Sequence, residues 1–72
     1  MRSRAVEGVQ LKATEQSAYE FEVGAFDYHV RKEGRVWVLD QFQTGVANAG
    51  EAHLGTFECA SLEDAVLYAI EA

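Results

Sequence analysis

The chain has 72 residues, twelve acidic against six basic side chains, a net charge of −6 and 49% apolar residues, which describes one globular domain. A domain this small buries only about 60% of its unfolded surface, so dimerisation would help it. The acidity argues against direct nucleic-acid binding, because affinity for phosphates comes from Lys and Arg and goes with a basic isoelectric point, whereas here it is ≈ 4.7.

One cysteine, Cys59, excludes an internal disulfide. No apolar run approaches the roughly 20 residues of a membrane span or the charged-then-apolar start of a signal peptide, which places the chain in the cytosol with no membrane partner. Residues 1–8, with Arg2, Ser3 and Arg4, read as a flexible N-terminus, and residues 9–72 as a single domain.

Val9, Leu11 and Ala13 alternate with polar positions, which suits a strand with one wet face, although Leu11 to Tyr19 also fits two helical turns. After the polar stretch Thr14 to Ser17, the run Tyr19, Glu20, Phe21, Glu22 and Val23 alternates again. Phe26, Tyr28 and Val30 then lead to Glu33-Gly34, followed at once by Val36, Trp37, Val38 and Leu39, the pattern of a hairpin whose glycine supplies the positive φ of a tight turn. With Lys32 facing Arg35, Val30 pairs with Trp37 and Tyr28 with Leu39, and Phe26, Tyr28, Val30, Trp37 and Leu39 share the core face. The reverse of the hairpin carries Asp27, His29, Arg31, Val36, Val38 and Asp40, a candidate contact surface.

Thr44 to Glu51, with Gly45, Asn48 and Gly50, reads as a loop, and Leu54 to Cys59 as a further strand. Ser61 is placed as an N-cap, with Glu63 and Asp64 in the first turn where the helix dipole favours acids. Leu62, Ala65, Val66, Ala69 and Ile70 form the apolar stripe of a helix that runs to the end of the chain. The fold class is therefore α+β: a small antiparallel sheet of three to five strands packed against one C-terminal α-helix.

The order hairpin, strand, helix, with the words Val36-Trp37-Val38, Leu54-Gly55-Thr56-Phe57 and Ala65-Val66-Leu67-Tyr68-Ala69, resembles the AP2/ERF-type domain and the related integrase arm-binding domains over residues 28–72. The resemblance implies a three-stranded sheet over a helix, with the DNA major groove read from the sheet. Carried over by position, the nucleic-acid-binding residues would be His29, Arg31, Lys32 and Arg35, with Trp37 alongside. Asp27 and Asp40 depart from that pattern, standing where phosphates would pass, and the third strand offers no base.

No residue cluster specifies a reaction. His53 and Cys59 on one strand would lie roughly 20 Å apart at about 3.3 Å per residue, too far for a nucleophile and its base. A zinc site from His29, His53 and Cys59 lacks a fourth ligand and close ligand spacing, so no metal or other cofactor is expected. The carboxylate pairs Glu20 with Glu22 and Glu63 with Asp64 fit a wet strand face and a helix N-terminus, and no glycine sits where a phosphate-cradling loop needs it. A chain this short would also have trouble enclosing a pocket of about 300 Å³. The reading is of a protein that is not an enzyme.

After Arg35 the chain has no lysine or arginine, so its second half carries the whole net charge. A field of one sign attracts basic partners and speeds encounter with them. The expectation is a non-catalytic acidic protein-binding module in which Asp40, Glu51, Glu58, Glu63, Asp64 and Glu71 dock on a basic protein surface, such as that of a nucleic-acid-binding complex. In size and charge the chain looks like the small acidic inhibitors that phages and mobile elements encode, including anti-CRISPR proteins and DNA mimics. The alternative is an AP2-like DNA-binding domain using the basic hairpin. A homodimer burying Val36 and Val38 is a further possibility.

Overall fold

Alternating side chains punctuated by short turns fold this chain into an antiparallel meander. A computed structural model describes residues 4–72 and shows six strands hydrogen-bonded in chain order: β1 (Arg4–Val6), β2 (Val9–Glu15), β3 (Ala18–Val23), β4 (Phe26–Glu33), β5 (Val36–Gln43) and β6 (His53–Cys59). A short α1 (Ala49–Ala52) precedes β6, and α2 (Leu62–Glu71) follows it. The α+β class stands with six strands in place of three to five. Over residues 28–72 the chain runs β4, β5, α1, β6 and α2, and β1–β3 extend the sheet beyond β4.

The sheet also begins earlier than the alternation places it. Arg4–Val6 pairs with β2, and Val6 is buried against the core, so of the expected flexible segment 1–8 the described part is a strand and a turn; Arg2 and Ser3 lie outside the described residues. β2 is a strand throughout, not two helical turns, and a register shift between Ala13 and Glu15 carries it into the turn at Gln16-Ser17.

The β4–β5 turn corrects the expected register. The two-residue loop is Gly34-Arg35, with Gly34 at φ +64°, where a side chain would be strained. Glu33 therefore faces Val36, Lys32 faces Trp37, Val30 faces Leu39 and Tyr28 faces Gln41. The shift is two residues, an even number, so every side chain keeps its expected face.

One face of the sheet is the core. Val6, Leu11, Phe21, Tyr28, Val30 and Leu39 meet Leu62, Ala65, Val66 and Ala69 of α2, and Trp37, Tyr19 and Phe57 pack around them partly buried. Ile70 departs from its expected place in the stripe. It sits on the flank of the helix and is 42% exposed. Ser61 caps α2 as its sequence suggests, its Oγ accepting from the Asp64 N–H at 3.0 Å. No helix among the described residues is long and apolar enough to cross a membrane.

Candidate functional site: the open face of the sheet

The pleat sends alternate side chains to opposite faces, and the register fixes which residues share the face turned away from α2. Directly opposed residues share a side, so Glu15, Glu20 and Glu22 lie there with Asp27, His29, Arg31 and Glu33, and then with Asp40, Phe42, Thr56 and Glu58. Among the described residues, seven carboxylates (Glu15, Glu20, Glu22, Asp27, Glu33, Asp40 and Glu58) therefore stand on this face against two bases, Lys12 and Arg31.

Charge is organised in two zones. Across β4, β5 and β6, Arg31 reaches Glu33 at 2.6 Å through Nε and Asp40 at 2.9 Å through Nη1. Asp40 also accepts from the Thr56 hydroxyl and faces His53 Nε2 at 3.2 Å. The Asp40 side chain is 17% exposed. Burial pushes its carboxyl up, but hydrogen bonds from Thr56, Arg31 and His53 and the charge of Arg31 outweigh burial and hold it below the ordinary 3.8. The hydrogen bonds to Asp40 and Glu33 keep the Arg31 guanidinium firmly protonated.

The second zone, across β2, β3 and β4, is different. Lys12 and His29 each stand 3.8 Å from Glu20. Glu22 and Asp27 are directly opposed across β3 and β4, and among the described residues neither has an ion-pair partner. Opposed like charges destabilise a strand pair. They border an open depression of about 430 Å³ lined also by Gln10, Lys12, Glu20 and His29. Between the zones the Phe42 ring lies between two imidazoles, 5.0 Å from His29 and 5.1 Å from His53.

The structure divides the acids that the second half of the sequence groups together. Asp40 and Glu58 are on the open face, Glu51 is in α1, and Glu63, Asp64 and Glu71 are exposed on α2, behind the sheet. These six do not make one surface. The basic set divides too: His29 and Arg31 are on the open face, Lys32 is on the helix side opposite Trp37, and Arg35 is in the turn. Arg31 is committed to Glu33 and Asp40. Val38 is 7% exposed, which leaves little of it for a dimer contact of the kind expected from Val36 and Val38.

What sequence reading by halves missed is the contribution of the first half. Glu20, Glu22 and Asp27 were visible as wet-face residues of two alternating runs, and only the β3–β4 pairing brings them together. His53 and Cys59 lie at opposite ends of β6. Cys59 is half-buried, and burial, then the Asp64 charge, push its thiol up, away from nucleophile chemistry. Among the described residues no group of three or more His, Cys, Asp or Glu is placed to hold a metal ion.

The Asp40 cluster makes acid stability testable. A carboxyl lowered by folding contributes stability that is present above its unfolded value near 3.9 and is lost as pH falls through the lower folded value. Asp40→Asn is expected to destabilise the fold at neutral pH and to flatten the stability curve in the acid limb, as read by denaturant midpoints at a series of pH values. An unchanged acid limb would show that the cluster contributes nothing.

Compared with protein-family models, curated proteins and solved structures, the chain matches none.

Proposed function

We propose that this protein is a non-catalytic acidic binding module whose open sheet face docks on a basic surface of a partner protein. The observation that carries the reading is the Glu22–Asp27 opposition, unpaired among the described residues, within a face that there holds seven carboxylates and two bases. Acids directly opposite one another weaken the sheet that holds them, and a partner's arginines or lysines would supply the missing counter-charge. The interface residues of this reading are Glu20, Glu22 and Asp27, with Glu58 at the β6 side; Asp40 is held by Arg31, Thr56 and His53. They replace the grouping drawn from the second half of the chain.

The partner class that fits is a protein surface built to hold nucleic acid, where arginines and lysines are arrayed for phosphates. Carboxylates spaced along neighbouring strands would take the place of the phosphates. That is the work of an inhibitor of the anti-CRISPR or DNA-mimic type encoded by phages and mobile elements. DNA binding by the chain itself is disfavoured by the same face, since the pairing of Arg31 with Glu33 and Asp40 leaves Lys12 as its other base among the described residues.

The test is capture of partners on immobilised protein at low and high salt, with a nuclease-treated parallel. A protein retained after nuclease and released by salt is expected, because screening shortens the reach of charge to about 10 Å at 0.1 M. Capture that disappears with nuclease, or that salt does not weaken, would overturn the reading.

A further inference from the structure

A meander has two free edges, and here they differ. Among the described residues β1 offers three, Arg4–Val6, and short edges carrying a base resist pairing. β6 offers seven, His53–Cys59, with neither lysine nor proline among them. Beyond its ladder with β5, β6 makes no backbone hydrogen bond among the described residues. Its outward N–H and C=O groups form an open template.

We infer that β6 pairs with β6 of a second copy of this chain, antiparallel and in full overlap about a two-fold axis at Thr56. The strand runs from His53 to Cys59, so full overlap sets Thr56 against the partner's Thr56, Gly55 against the partner's Phe57 and Leu54 against the partner's Glu58. No acid meets an acid, which an antiparallel pair would penalise. Leu54 has no opposite residue in β5, because the register shifts between Gln41 and Phe42, and it is 50% exposed. The aliphatic stem of the opposing glutamate would cover it.

The aromatic residues at this edge favour a copy over an unrelated strand. The Phe57 ring already lies over Gly55 of its own strand, 3.0 Å from where a Cβ would stand. Tyr68 of α2 sits against Phe57 at 4.7 Å between ring centroids and is 42% exposed. Two-fold pairing brings both Phe57–Tyr68 pairs to one seam.

The pairing also orders the rest of the molecule. Directly opposed residues share a face, so the two open faces join on one side of a continuous sheet and both α2 helices lie on the other. The acidic face doubles without a new contact of its own. For a chain this small, burial at a dimer seam adds to a limited core.

The test is cysteine cross-linking in full-length protein with Cys59→Ser. Opposed residues in an antiparallel pair have Cα atoms about 4.5–5.5 Å apart, inside the range of about 4.4–6.8 Å that a disulfide spans. Thr56→Cys is expected to form a linked dimer under mild oxidation much faster than Thr44→Cys, whose position is an exposed turn. The native chain is expected to sediment as a species of twice the 8.0 kDa chain mass. A native chain that stays at 8.0 kDa up to millimolar concentration, or equal linking rates for Thr56→Cys and Thr44→Cys, would overturn the inference.

Discussion

Tyr28→Ala is expected to leave much of the protein unfolded, while Tyr28→Phe is expected to fold with a modest loss. Tyr28 is wholly buried, its ring stacked on Phe21 at 5.2 Å and met edge-on by Phe26 at 6.4 Å. Its hydroxyl accepts from Gln41 Nε2 at 2.9 Å. Deleting a buried aromatic ring costs about 3–5 kcal/mol, against a total stability on the order of 4–11 kcal/mol for a chain of this length. The phenylalanine variant keeps the ring and loses one hydrogen bond, worth about 0.5–1.5 kcal/mol. Denaturant unfolding followed by Trp37 fluorescence reads both. Equal losses in the two variants would mean that the hydroxyl, and not the ring, holds the sheet to the helix.

Glu22→Lys is expected to make the protein more stable and a poorer binder. The substitution turns an opposed pair of acids into an opposed pair of unlike charge, a change worth roughly 0.2–1 kcal/mol in a strand pair and a rise of a few degrees in Tm, at about 4–8 °C per kcal/mol. Glu63→Lys is expected to go the other way, because it removes an acid from the first turn of α2, where the dipole favours it by about 0.3–1 kcal/mol. Thermal melts of the two single variants beside the native chain decide the sign. A Glu22→Lys protein that melts lower would show that Glu22 and Asp27 do not strain the sheet.

Those two residues also show how far the sequence reaches. The alternation of Tyr19, Phe21 and Val23 and of Phe26, Tyr28 and Val30 marks the core faces of β3 and β4, and the Ser61 cap with the stripe from Leu62 to Ala69 marks α2, because burial on one side imposes a period that is visible without partners. β1 is too short to show a period. α1 begins inside a stretch whose asparagine and glycines signal a loop. The register of β4 and β5 depends on which two residues form the turn, and Gly34 can serve either arrangement until its backbone conformation is known.

The candidate surface was legible in its parts and hidden in its assembly. Counting charge along the chain joins Asp40 to Glu71, residues that the sheet and helix place in different layers. Cross-strand pairing instead joins Glu20 and Glu22 to Asp27, which belong to the half of the chain with no net charge. Location in the fold, not total charge, is what a partner would meet.

The most direct measurement is binding of the captured partner by two variants of equal net charge. Glu22→Lys with Asp27→Lys, and Glu63→Lys with Glu71→Lys, each replace two carboxylates by two ammonium groups and so move the chain from −6 to −2. Titrated calorimetrically at low salt, the first variant is expected to lose binding by a hundredfold or more, about 2.7 kcal/mol, and the second to bind within a few fold of the native chain. Equal losses would show that bulk charge alone attracts the partner, and a loss confined to the helix variant would contradict the open sheet face as the docking surface.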